Sequence, residues 1–264
     1  MSVVSDYIDR LQSYDEYSFS WEELLENCKA PETTIRNSIN RLTDTKDILN
    51  IRKGFYVILP PRYRALGKLP IQLYIDKLFN YLNRPYYIAL YSAASMHGAS
   101  HQQIQEDYII TVKPTLLNIN KGNVRIRFFN TRHWPKKNVI NKKSDAGLFN
   151  ASSPVLTAVD LIDYQRNIGG LNRILANLEE LMEDIQPDDI NNLLTWYPHK
   201  SVLQRLGFLL DELQAGNELS DLIYERLKKE SFYPVLLSPK NDQRAGKTGN
   251  RWKIDVNLKL ETDL

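Results

Sequence analysis

Apolar residues recur at helical spacing from the first positions of the chain. Val4, Ile8 and Leu11 mark a short amphipathic helix over 3–13. The run Tyr17-Ser18-Phe19 reads as a brief extended piece. Ser20-Trp21-Glu22-Glu23 then has the form of a capping box, with Phe19 and Leu24 placed as a hydrophobic staple. That second helix is expected to end near 27–29. Pro31 opens a third, whose inward stripe is Ile35, Ser38, Ile39 and Leu42. Thr33, Thr34, Arg36, Asn37, Asn40 and Arg41 fall outside the stripe, and their hydroxyls, amides and guanidiniums are the groups that read base edges and hold phosphates. Two β-favouring runs, 48–53 and 55–59, flank Gly54 and predict a hairpin with Arg52 and Lys53 at its tip. Three helices followed by a basic-tipped hairpin are the element order of a winged helix-turn-helix, a DNA-binding unit expected over residues 1–60.

The remainder, 61–264, reads as one larger mixed domain. Pro60-Pro61-Arg62-Tyr63-Arg64 looks like a linker. Helices are expected over 73–82 and over 86–98, the latter apolar and stopped by Gly98. Strands are expected near 107–113 and 123–130. In the second, Val124, Ile126 and Phe128 alternate with Arg125 and Arg127, as in an antiparallel sheet with one wet face. From Ser153-Pro154 the chain turns helical, with breaks at Gly169-Gly170 and fresh starts at Pro187 and Ser201. The runs 232–237 and 251–256 return to strand. The fold class is therefore α+β: an N-terminal winged helix, then a mixed domain with a small antiparallel sheet and a helical C-terminal part.

Charge refines this picture locally rather than globally. The formal net charge is only +2 over 264 residues. Residues 1–60 hold seven basic and ten acidic side chains, but residues 31–68 hold eight basic against three. The positive charge thus sits on the reading helix, the wing and the segment after them. A second basic stretch, 101–145, has nine basic residues against three acidic. Arg125, Arg127, Arg132, Lys136 and Lys137 make it a candidate for flanking DNA or an acidic partner, with a solvated sheet face as the plain alternative. Residues 151–230 are the reverse, seven basic against fourteen acidic, a surface suited to a basic protein or to self-association rather than to DNA. The opening residues lack the basic head and apolar core of an export signal, and no apolar run approaches bilayer length. Cys28 is the one cysteine, so no disulfide forms within the chain, and a reducing cytoplasm is expected.

Enzyme motifs fail on spacing. Ala245-Gly246-Lys247-Thr248 resembles the tail of a phosphate-binding loop, yet the required glycine position is Asn241. His97 and His101 are four apart, but Gly98 between them argues for a helix end, and no third metal ligand matches. Ser92, His97 and Asp160 lack the glycine elbow of a nucleophile. Asp160 and Asp163 read as a helix edge. A non-enzymatic protein without metal or other cofactor is the expectation.

Several blocks together carry a family resemblance. They are Tyr87-Ile-Ala-Leu-Tyr-Ser-Ala-Ala-Ser-Met-His-Gly-Ala-Ser-His101, Val124-Arg-Ile-Arg-Phe128, Ser153-Pro-Val-Leu-Thr-Ala-Val-Asp-Leu161, Gly169-Gly170-Leu171, Gln204-Arg-Leu-Gly207 and Arg251-Trp252-Lys253 with Asn257. With the N-terminal winged helix they resemble the AbiEi family, the antitoxins of abortive-infection phage-defence operons. The resemblance implies a type IV antitoxin that represses its own operon by binding promoter inverted repeats. It further implies a C-terminal domain that counteracts a nucleotidyltransferase-type toxin, without stable toxin binding being assumed. The family's DNA-binding role falls on Thr33, Thr34, Arg36, Asn37, Asn40, Arg41, Arg52 and Lys53. The competing reading is a protein-interaction module in which the winged helix is a scaffold and the acidic helical region docks a basic partner.

Overall fold

The structure, a computed structural model, describes residues 2–99, 105–215, 217–241, 243–246 and 248–261. It is a mixed α+β chain divided into two compact units. One unit comprises the described residues of 1–87, 105–131 and 141–150; the other, those of 88–104, 132–140 and 151–264.

The first unit opens as its sequence pattern requires. Helix α1 (Val3–Ser13) buries Val4, Tyr7, Ile8 and Leu11. Strand β1 (Ser18–Ser20) leads into α2 (Trp21–Asn27), where the capping box forms: the Glu23 amide donates to Ser20 Oγ at 3.1 Å and the Ser20 amide to Glu23 Oε2 at 2.7 Å. Phe19 and Leu24, the staple pair, are fully buried. Pro31 stands at the N-cap of α3 (Glu32–Asp44), which buries Ile35 and Ile39. Strands β2 (Ile48–Arg52) and β3 (Phe55–Ile58) pair antiparallel through a Lys53-Gly54 turn, with β1 added on the far side of β3. Ile35 and Ile39 of α3 join Phe19, Leu24, Ile48 and Ile58 in one hydrophobic cluster, so the position of α3 is set by this small core.

The run Pro60–Arg64, expected as a linker, instead closes the helical turn α4 (Pro61–Arg64), pinned by an Arg64–Asp47 ion pair at 2.6 Å. A 3-10 turn (Ile71–Leu73) leads into α5 (Ile75–Tyr81). The helix expected over 86–98 divides in two. Tyr86-Tyr87-Ile88 forms the buried strand β4, and only Leu90–Met96 is helical, as α6. Leu90, at φ 53°, breaks the run between them. A fully buried strand shows no alternation, so its apolar residues merge in sequence with the helix that follows.

Strand β5 (Asp107–Thr111), β6 (Ile119–Lys121), β7 (Val124–Asn130), β8 (Val139–Ser144) and β9 (Gly147–Ser152) join β4 in a six-stranded sheet of order β6-β7-β5-β4-β9-β8. The strand expected over 123–130 does pair antiparallel, with the short β6 across Gly122. Its other neighbour, β5, lies parallel to it. Asp107, at the start of β5, is largely buried, which pushes its carboxyl up to about 6 while Lys68 pulls the other way. The charged form is thus disfavoured in the fold. Stability is full below the ordinary carboxyl value of 3.8 and is lost as pH rises through about 6. Asp107→Asn is expected to raise the melting midpoint at pH 8 by an amount equivalent to about 1–3 kcal/mol, a gain that shrinks toward pH 4.5. A gain independent of pH in thermal melts would remove desolvation of Asp107 as its cause.

The second unit is mostly helical. Ser153 caps α7 (Pro154–Asp163), accepting from the Leu156 amide, with Pro154 in the first turn. Then follow α8 (Gln165–Ile168), α9 (Leu171–Glu183), α10 (Pro187–Leu194), α11 (Lys200–Glu212) and α12 (Asn217–Lys228). Gly169 and Gly170 at φ 120° and 100° make the break before α9 that the sequence signals. Helix α11 starts one residue before Ser201, with His199 at its N-cap. The terminal strands shrink to β10 (Val235–Leu236) and β11 (Ile254–Asp255), paired parallel.

Candidate nucleic-acid interface

The exposed side of α3 carries every polar residue the sequence assigned to it. Thr33, Thr34, Arg36, Asn37, Asn40 and Arg41 are all exposed, while Ile35 and Ile39 point into the core. Thr33, Thr34, Asn37, Asn40 and Arg41 spend no side-chain hydrogen bond on the described residues, so their donors and acceptors face solvent. Arg36 is different. Its guanidinium lies 4.9 Å from the centroid of the Trp21 ring and pairs with Glu32 at 2.6 Å, which orders it before any ligand arrives.

The hairpin tip divides its two cations. Arg52 turns inward: one Nη donates to the Leu117 carbonyl at 2.8 Å, and the guanidinium lies 5.5 Å from the Phe128 ring centroid. Burial, with Arg84 nearby, pulls its pKa below the ordinary arginine value. Lys53 remains exposed. The turn beneath it is clamped, because the Tyr81 hydroxyl donates to the Lys53 carbonyl at 3.1 Å. Gly54 sits at φ 72°, and an added Cβ there would stand 2.7 Å from that hydroxyl. Gly54→Ala is therefore expected to destabilise the unit by about 1–2 kcal/mol through left-handed strain alone, read as a lower thermal midpoint. An unchanged midpoint would show that the turn relaxes. Beside the turn, an open groove of ≈ 610 Å³ is walled by Trp21, Arg36, Arg52, Lys53, Tyr81 and Lys121 among others.

The second basic set does not stay together. Arg125 is exposed on β7, whereas Arg127 is half-buried, 3.7 Å from Glu106 and over the rings of Tyr108 and Phe129. Arg132, Lys136 and Lys137 are exposed but belong to the other compact unit, where Lys137 Nζ donates to Asn192 at 2.8 Å.

In that unit the residues weighed as catalytic have structural work. His97 Nε2 donates to the Ser152 carbonyl at 2.8 Å. Ser152 Oγ meets Thr157 Oγ1 at 2.6 Å, tying β9 to the first turn of α7. Ser92 and Asp160 are buried within α6 and α7. Asp163 accepts from His199 Nδ1 at 3.0 Å, a bond that raises the imidazole pKa. His101 and Lys247 lie outside the described residues. Among those described, no group of three or more His, Cys, Asp or Glu residues could hold a metal ion. Nor is any helix among them long and apolar enough to cross a membrane.

One constellation escaped the sequence reading although its blocks were noticed. Trp252 is buried against Gly207 of α11, its Nε1 donating to Asp211 Oδ2 at 2.7 Å. Arg251 grips the same carboxylate through Nε and Nη2 at 2.8 and 2.7 Å, and reaches Asp221 at 2.5 Å. Those contacts hold Asp211 below the ordinary carboxyl pKa against the opposing pull of burial. Gln204–Gly207 and Arg251–Lys253 are thus two sides of one joint.

Over 96% of its length the chain is similar in fold to the crystal structure of the RV2827C protein from Mycobacterium tuberculosis, with a TM-score of 0.62, 16% identity and 90% of that chain covered. No curated protein matches it. Residues 87–212 match the AbiEi antitoxin C-terminal domain, a match that supports an AbiEi-family antitoxin.

Proposed function

We propose that the chain is the antitoxin and transcriptional autorepressor of a type IV toxin–antitoxin operon in phage abortive infection, acting in the cytoplasm and without catalysis. In this reading residues 1–60 are a winged helix-turn-helix that binds inverted repeats in the chain's own promoter. The C-terminal domain counteracts a nucleotidyltransferase-type toxin. The observation that carries the DNA-binding half is the exposed face of α3: six side chains suited to bases and phosphates on a helix whose other face is fixed in the core. The antitoxin half rests on the family of residues 87–212.

The test is a mobility shift on DNA from immediately upstream of the gene, against an unrelated fragment, at several salt concentrations. Arg36→Ala and Arg41→Ala are each expected to weaken operator binding by about 1–3 kcal/mol if they read bases. A lost phosphate contact would instead lower the salt slope by about one unit. Unchanged binding in both variants would overturn α3 as the reading helix.

A second reading keeps the first sixty residues as scaffold and gives the function to the acidic helices. It is favoured by Glu183, Asp184 and Asp188, exposed together where α9 passes into α10. Reversing those three charges would abolish toxin rescue on this reading and leave it intact if the toxin is opposed without docking there.

A further inference from the structure

The groove beside the β2–β3 turn has a charge and ring composition that operator reading by α3 does not use. Arg52 lines it half-buried, with Nε shut away from water and without a partner among the described residues. Neither Arg52, Lys53 nor Lys121 forms an ion pair with any described residue, so these three cations outnumber the one carboxylate in the groove wall, Glu22, and none is paired with it. A desolvated, unneutralised guanidinium is unfavourable by itself and is relieved by an anion. The wall opposite is aromatic. Tyr81 is 37% exposed, its ring packed on Phe55 at 5.4 Å and its hydroxyl fixed to the Lys53 carbonyl, which makes it a rigid platform. The volume, ≈ 610 Å³, falls in the usual range for small-molecule sites, about 300–1,000 Å³. A duplex backbone would meet the exposed lysines at the rim but not fill the hollow behind them.

We propose that this groove binds a free nucleotide, its phosphates held by Arg52, Lys53 and Lys121 and its base laid on Tyr81. Arg36 belongs both to the groove wall and to the exposed face of α3. If α3 reads the operator, as proposed above, a nucleotide in the groove competes for Arg36 and loosens repression; only this coupling rests on that reading.

The experiment is equilibrium dialysis of the full chain with ATP, GTP, CTP, UTP and inorganic tripolyphosphate, alongside operator retention with and without each. Saturable sub-millimolar binding of at least one nucleotide is expected. Lys121→Glu, at an exposed position, should weaken it about tenfold by reversing a contact charge. Tyr81→Leu should weaken the nucleotide at least about fivefold and leave tripolyphosphate unaffected. Absence of saturable binding by all four nucleotides overturns the site, as does binding indifferent to Lys121→Glu. Tripolyphosphate bound as tightly as every nucleotide overturns the base platform. An intact operator shift without nucleotide binding refutes the groove alone, whereas nucleotide binding without any operator shift keeps the groove and refutes the repressor.

Discussion

Alanine at Gly207 is expected to destabilise the helical unit almost as much as removal of the Trp252 side chain. A Cβ at that position would lie 2.2, 2.3 and 2.5 Å from three atoms of the Trp252 ring. The ring has nowhere to go. Its Nε1 is hydrogen-bonded to Asp211, its edge meets Tyr224 at a 5.6 Å centroid distance, the Arg251 guanidinium lies 4.9 Å from its centroid, and the residue's backbone carbonyl accepts from Gln204 Nε2 at 2.7 Å. Overpacking of this kind costs about 1–3 kcal/mol and more where the neighbour cannot yield. Trp252→Ala deletes a buried aromatic, about 3–5 kcal/mol. At roughly 2–4 °C per kcal/mol for a chain of this size, Gly207→Ala should lower the midpoint of this unit's unfolding by about 2–12 °C or more, and Trp252→Ala by about 6–20 °C. The two sites touch, so their effects should not add. In a Trp252→Leu background the further cost of Gly207→Ala should fall to about 1 kcal/mol or less. A full, additive loss in the double variant would show that the helix and the ring do not share this contact.

The joint also marks where sequence reading runs out. Gly207 stands in an otherwise apolar helix, and nothing within its own window shows why a side chain is forbidden there; the reason lies at Trp252, beyond another helix and two loops. Arg52 is the same case on a smaller scale. As a hairpin-tip cation it reads as a phosphate contact, yet it donates a hydrogen bond to the carbonyl of Leu117, 65 residues away. What was legible was local. The Ser20–Glu23 capping box, the Phe19–Leu24 staple, the Lys53-Gly54 turn and the Ser153-Pro154 helix start each depend on residues a few positions apart, and each forms. The β8–β9 hairpin went unread because Val139–Ser152 is polar on both faces for much of its length and shows no clean alternation. In the candidate site, the α3 face was readable from helical period alone. The groove was not, since Trp21, Lys53, Tyr81 and Lys121 come from four elements spread over a hundred residues.

Phe19→Ala tests whether the exposed face of α3 depends on the small core beneath it, and its expected effect is as large as that at Trp252. Phe19 is completely buried, stacked on Tyr56 at 5.3 Å and edge-on to Tyr7 at 5.9 Å. It belongs to the cluster that also holds Ile35 and Ile39, the two residues that seat α3. Truncation to alanine is expected to cost about 3–5 kcal/mol, because a helix–hairpin core this small collapses poorly around a missing ring. Operator retention should then disappear together with the thermal transition of this unit. Arg36→Ala should separate the two, weakening retention while leaving the midpoint within about 0.5 kcal/mol of the parent, since the residue is exposed and its ion pair with Glu32 lies on the surface. If Phe19→Ala unfolds the unit yet operator binding persists undiminished, the DNA contact lies elsewhere in the chain. A stable Phe19→Ala variant would show instead that α3 is held by contacts other than this cluster.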